Sequence, residues 1–234
     1  MGEMVQGFWQ AVQMIARLDP DLLEIVGLSL RVSFTAVLLA ALTGLPIGAA
    51  LALYPFRGRA AVVVLFNALM GLPPVVVGLA VYLTLSRSGP LGFLGLLFTT
   101  PAMILAQWVL VTPIVAAISR QILADLWREY QDLLRSLNAR PWQAVLTVIW
   151  DGRVSLSTAL LAGFGRAIAE VGAVIIVGGN IAHFTRLMTT AIALETSKGD
   201  LALAMGLGLI LITLSLTVNA GAYLLQSFTR EAHG

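Results

Sequence analysis

Five long apolar stretches, at about residues 22 to 54, 60 to 87, 101 to 121, 155 to 178 and 201 to 228, constrain this chain more than any other feature. A bilayer core of about 30 Å takes about 20 residues of helix to cross, and each stretch reaches or exceeds that length. The predicted fold class is therefore an all-α polytopic membrane protein with about five transmembrane helices. Composition agrees, since 59% hydrophobic and 11% charged residues lie far outside the range of soluble domains. The 234 residues suit one membrane domain over 22–234, leaving no room for a nucleotide-binding module, and no Gly-x-x-x-x-Gly-Lys-Ser/Thr motif occurs. A net charge of +2 is too small to argue for nucleic acid. The absence of cysteine excludes disulfides, thiolate metal sites and cysteine nucleophiles.

Residues 1–21 form a separate N-terminal segment. Val5, Phe8, Trp9, Val12 and Ile15 recur there at roughly helical spacing over residues 4 to 17, too short to span, as in an interfacial helix; an unstructured tail is the alternative. With Glu3 and no basic start, a cleaved signal peptide is not expected. Asp19-Pro20-Asp21 then breaks the pattern and can open the next helix. Five spans place the termini on opposite sides. Arg57, Arg59, Arg120, Arg128, Arg135, Arg140, Arg153 and Arg230 fall on one side, against Arg17, Arg87, Arg186 and Lys198 on the other. That asymmetry predicts a cytoplasmic central loop and C-terminus, with the N-terminus outside.

Gly44 and Gly48, then Ala159, Gly163 and Ala167, then Ala202 and Gly206, mark where helices can approach closely. Pro46, Pro73, Pro74 and Pro113 interrupt spans, and the carbonyls they free must find partners in protein or water. Gly71-Leu72-Pro73-Pro74 is the densest break, readable as a kink or as part of a pathway. Arg31, Arg166 and Glu170 sit within spans, where an unpaired charge costs at least about 2.5–3.5 kcal/mol. Arg166 and Glu170 are four apart on one helical face, which fits either an internal ion pair or a group lining a pathway. Arg31 lies nearer the outer surface and is read as snorkelling in preference to binding substrate. His183 and Glu195 have no partner at metal-ligand spacing and read as a solvated outer loop between the last two spans.

Residues 124–154 are the longest polar interruption. Leu126, Tyr130, Leu133, Leu134 and Leu137 recur at helical spacing opposite Asp125, Arg128, Glu129 and Asp132, the pattern of an amphipathic helix. That helix should stop at Asn138, and Pro141 can open a second through Trp142, Val145 and Ile149. The apolar face can pack on the protein's own helices or dock another protein. Both readings remain open on periodicity alone.

Asp132-Leu133-Leu134, Asn138 and Val148-Ile149-Trp150-Asp151 fall in register with the cytoplasmic coupling loop of permease subunits of ATP-binding-cassette importers. Leucines stand where that loop has two small residues, asparagine where it has glycine, and Trp-Asp where it has Leu-Pro. Gly163-Phe164-Gly165-Arg166-Ala167-Ile168-Ala169-Glu170-Val171-Gly172-Ala173-Val174 closely resembles the following helix in oxyanion importer permeases. Leu72-Pro73-Pro74-Val75-Val76-Val77-Gly78 with Gly89-Pro90-Leu91-Gly92 resembles the second span and outer loop of the same family. Residues 189 to 199, with Trp150-Asp151, look most like its tungstate branch, ahead of the molybdate and sulfate branches.

The resemblance implies the type I importer permease fold, working as a homodimer in the cytoplasmic membrane of a bacterium or archaeon with two cytoplasmic ATPase subunits and an external binding protein. ATP and magnesium would be bound by the ATPase, with no cofactor and no bond chemistry in this chain. Asp132, Leu133, Leu134, Leu137, Asn138, Ala139 and Trp142 become candidates for ATPase coupling. Pro73, Pro74, Arg166, Glu170 and Gly172 become candidates for the pathway or its gate. An intramembrane hydrolase would need a nucleophile, carboxylate pair or metal set at membrane depth, yet both histidines and all aspartates lie outside the spans or at their ends. A secondary transporter would usually show inverted repeats, and a structural membrane subunit is the remaining alternative.

Overall fold

In the computed structural model, residues 8, 9, 12, 13, 15 to 17 and 19 to 231 are described, and no strand occurs among them. Of the expected helix over 4–17, residues 8, 9, 12, 13, 15 and 16 are helical, and half of the stretch lies outside the described residues. Helix α1, Pro20–Leu53, starts where Asp19-Pro20-Asp21 predicts. The Asp19 carboxylate accepts the Asp21 and Leu22 amides at 3.1 and 3.4 Å, and Pro20 occupies the first helical position, where no amide is needed. Pro46 lies inside α1 without ending it.

The stretch at 60–87 forms two helices and not one: α2, Arg59–Met70, and α3, Pro74–Leu85. Pro73 and Pro74 have no amide to continue α2, while the Pro73 carbonyl accepts Val76 and Val77 and starts α3. A one-turn 3-10 helix at Gly92–Leu94 follows. Next, α4 runs from Thr100 to Ser136 as 37 continuous residues, so the span at 101–121 and the amphipathic helix after it are one element. Gln121-Ile122-Leu123-Ala124 holds no breaker between them. At 1.5 Å per residue α4 is about 55 Å long, well beyond a hydrocarbon core.

Helix α5, Pro141–Asp151, and α6, Arg153–Ile168, meet at Gly152 with a bend of 65°. The expected span over 155–178 is interrupted after Ile168 and resumes as α7, Gly172–Gly178. Residues read as a solvated outer loop instead contain α8, Met188–Lys198, in which Met188, Thr190, Ala191 and Glu195 are buried. The last helix, α9, covers Leu201–Glu231. Among the described residues, three helices are long and apolar enough on their own to cross a membrane, and up to five spans result if each bent pair counts as one.

The chain divides into two units. The first comprises Met1–Ala36, Pro73–Trp108 and Gly165–Thr217. Its core holds Met103, Val174, Val177, Met188 and Leu207. There α3 packs along α7 so closely that a Cβ on Gly78 would lie 2.7 Å from the Ala173 Cα. The Ser29 hydroxyl accepts the Met188 amide at 2.8 Å, tying α8 to α1. The second unit comprises Val37–Leu72, Val109–Phe164 and Val218–Gly234. In it the predicted small-residue pair lets α1 meet α4: a Cβ on Gly48 would fall 2.0 Å from the Ser119 Oγ, and one on Gly44 3.0 Å from the Thr112 carbonyl. The Arg59 guanidinium donates to the Leu51 and Ala52 carbonyls at 2.6 and 3.0 Å, satisfying the end of α1. Phe34, Leu42, Ile212 and Leu216 are exposed, as side chains turned toward lipid are.

Candidate functional site

The helix-turn-helix of α4 and α5 is built by one turn and one small core. The Leu133 and Arg135 carbonyls accept the Leu137 and Asn138 amides, and the Leu134 carbonyl accepts Ala139, each at 3.0 Å. This closing pattern needs a left-handed residue, and Asn138 supplies it at φ 52°. The Arg140 amide then donates to the Gln143 side chain at 2.9 Å, and α5 begins at Pro141. Ala52, Leu53, Leu123, Val148 and Leu156 form the core, with Trp127, Tyr130, Leu134, Val145 and Ile149 packed around it. The Tyr130 hydroxyl donates to the Asp151 carboxylate at 2.6 Å, tying the end of α5 back to α4. Asp151 stands where the resembling loops have proline, so this departure from the pattern provides the latch.

The amphipathic face thus divides. Leu134 turns inward and packs, like Val145, on the core. Leu133, Leu137 and Trp142 point out at 57%, 68% and 56% exposure, and Leu146 and Trp150 join them. Asp132 is exposed and pairs with Arg135 at 3.7 Å, while Ala139 is half-buried beside the turn. The Arg153 guanidinium stacks over the Trp150 ring at 4.6 Å and donates to its carbonyl at 2.6 Å. Self-packing and an uncovered apolar surface coexist on the same helices. Periodicity marks the whole stripe and cannot show which half is covered.

The second constellation surrounds the break at Ala169, Glu170 and Val171, all in the first unit. Glu170 is 3% exposed and pairs with Arg166 at 3.1 Å, the contact that their spacing predicts. Its other oxygen accepts the Ala173 amide at 3.1 Å and so begins α7. Interrupting the helix deprives carbonyls of their usual donors, and the Glu170 amide folds back onto the Ala167 carbonyl at 3.2 Å. The Gln107 amide donates to Ala167 at 3.0 Å, and the Thr189 hydroxyl donates to Glu170 at 2.7 Å. Sequence reading missed both donors: Gln107 is signalled only as a polar side chain in an apolar stretch, and Thr189 is one of several polar residues in its helix. A Cβ on Gly172 would lie 2.9 Å from the Val75 side chain, next to Pro74. The breaks opened by Pro73-Pro74 and by Glu170 therefore lie side by side, and the five pathway candidates gather at one place.

Two other charged groups depart from expectation. Glu195 is buried, pairing with Lys198 at 3.0 Å and Arg186 at 3.6 Å, because its helix packs inward. His183 is exposed, yet its Nδ1 lies 2.9 Å from the Glu24 carboxylate and close to Asp21. Arg31, about three turns into α1, is exposed.

A chain with long apolar helices, an ion pair beside a broken helix and a helix-turn-helix that leaves apolar side chains uncovered is a polytopic α-helical membrane protein. Residues 44–231 match the family of binding-protein-dependent transport system inner membrane components, and the chain belongs to it. It is 38% identical over 226 residues to the tungstate uptake system permease protein TupB of Peptoclostridium acidaminophilum, covering 97% of this chain and 99% of that one. It is 44% identical over 185 residues to a probable anion ABC transporter permease protein of Haloferax volcanii, covering 77% and 80%. TupB of Campylobacter jejuni shares 37% identity over 196 residues, covering 84% and 82%. Family and apolar helices together make the chain a multi-pass inner-membrane protein.

Proposed function

We propose that this chain is the permease subunit of an ATP-driven importer that carries tungstate across the cytoplasmic membrane. The observation that carries this reading is the likeness, over nearly the whole of both chains, to a tungstate uptake permease. Molybdate and sulfate have less support. In this reading two copies of the chain form the channel, two cytoplasmic ATPase subunits hold ATP and magnesium, and an external binding protein delivers the anion. The N-terminus lies outside and the C-terminus inside. The surface formed by Leu133, Leu137 and Trp142 docks in a groove of the ATPase, with Asp132, Asn138 and Ala139 shaping its edge and Leu134 supporting it from beneath. Closing of the ATPases moves the docked turns and biases the permease pair between inward-open and outward-open states.

Pro73, Pro74, Arg166, Glu170 and Gly172 supply irregular backbone and a paired charge for the pathway or its gate. A neutralised pair suits passage of a dianion, which a lone buried arginine would trap. The test is uptake by proteoliposomes containing the permease, its ATPase and the matching binding protein. Tungstate uptake that depends on ATP and exceeds molybdate and sulfate uptake at equal low concentration is the expected result. Equal or greater sulfate uptake would overturn the substrate, and no ATP-dependent uptake of any oxyanion would overturn the importer reading.

A further inference from the structure

We propose that Asp21, Glu24 and His183 form a binding site for one divalent transition-metal ion of the zinc class. Their ligand atoms, one imidazole nitrogen and two carboxylate oxygens, all lie within 4.8 Å of one another. Asp21 and Glu24 share a face at the start of α1, being three residues apart. His183 arrives from a turn 159 positions later in the chain. That turn is held in place by Thr185, which is 1% exposed: its hydroxyl donates to the Gly178 carbonyl at 2.6 Å and accepts the Ile181 amide at 2.9 Å. The three donors therefore converge through packing and not through local spacing. Beside them is a cavity of about 80 Å³ with Ile25, Leu28 and Phe184 in its wall.

The donor set selects the ion. An imidazole with two carboxylates suits zinc and its neighbours, whereas calcium and magnesium prefer oxygen alone. Three protein ligands leave a fourth tetrahedral position to water. All three side chains are exposed, so an ion can enter from solvent. Arg186 lines the same cavity and would repel a cation, but Glu195 holds its guanidinium at 3.6 Å. Without metal, His183 Nδ1 and the Glu24 carboxylate meet at 2.9 Å, and a bound zinc would replace that contact. Metal binding would clamp the 180–187 turn to the start of α1.

The experiment uses the full chain, purified in detergent, stripped with chelator and titrated with zinc chloride against a chromophoric competitor. No cysteine is present to compete, and His233 is the other imidazole to control for. One zinc per chain is expected, with affinity falling by about tenfold or more in both His183→Ala and Glu24→Gln and unchanged in His233→Ala. Zinc should raise the melting temperature of the wild type and not of Glu24→Gln. Wild-type affinity in His183→Ala, or loss confined to His233→Ala, would overturn the site. If His183→Ala does not fold, the extended X-ray absorption fine structure of zinc bound to His233→Ala decides the matter: outer-shell imidazole scattering supports the site, and its absence rejects it.

Discussion

Glu170 is buried while Arg166 keeps about a third of its side chain exposed, so the two ends of this ion pair differ in what their loss leaves behind. Arg166→Met strands a buried carboxylate and should cost about 3–5 kcal/mol in stability. Glu170→Gln strands a guanidinium that can still reach water, and its amide oxygen can still accept the Ala173 amide, so it should cost clearly less. The double variant should recover most of the Arg166→Met loss, read as thermal stability and size-exclusion profile of the purified protein. A double variant no better than Arg166→Met would reject the structural pair. His183 offers a separate residue-scale test. Its pKa is raised chiefly by the hydrogen bond to Glu24, with the Glu24 and Asp21 charges adding, against desolvation and Arg186. A raised folded-state pKa stabilises most below the unfolded value of about 6.5 and is lost as pH climbs through the folded value. Metal-free wild type should therefore melt above His183→Gln near about pH 6 and lose that advantage with rising pH; an advantage that grows with pH would contradict the contact.

At the scale of the element, the helix-turn-helix places two adjacent leucines in opposite environments. Leu133 is exposed and Leu134 packs on the core around Leu123 and Val148, so their replacements should fail in different assays. Leu133→Asp should leave the melting temperature near wild type while weakening co-purification of the ATPase by about tenfold or more, since burying a leucine contributes about 1.5–3 kcal/mol and an aspartate adds a desolvated charge. Leu134→Asp should lower the melting temperature itself. Wild-type ATPase capture and uptake by Leu133→Asp would remove that residue from the docking surface. The helix stop at Asn138 and restart at Pro141 were legible because a left-handed turn and a proline act on their own backbone. Which leucine faced out was not legible, because both satisfy the same helical period.

For the whole molecule, the arginine asymmetry predicts which side each segment faces. The structure supplies better probe positions for this test than sequence alone, since Thr185 is buried whereas Ala182 and Thr147 are exposed. A membrane-impermeant thiol reagent should label Ala182→Cys in intact cells and Thr147→Cys only after the membrane is opened; the reverse pattern would invert the topology. The apolar runs by themselves determined that the chain is helical and membrane-spanning, because a bilayer imposes length and internal hydrogen bonding on any segment that crosses it. Local chemistry likewise determined the start at Asp19-Pro20, the turn at Asn138 and the Arg166–Glu170 contact, each settled within about one helical turn. Tertiary structure alone decided that the helix breaks at Glu170, that Glu195 is buried and that His183 meets Asp21 and Glu24. A freed carbonyl or a charge takes its partner from wherever the fold brings one, and Gln107 and Thr189 are 60 and 19 residues from the carbonyls they meet.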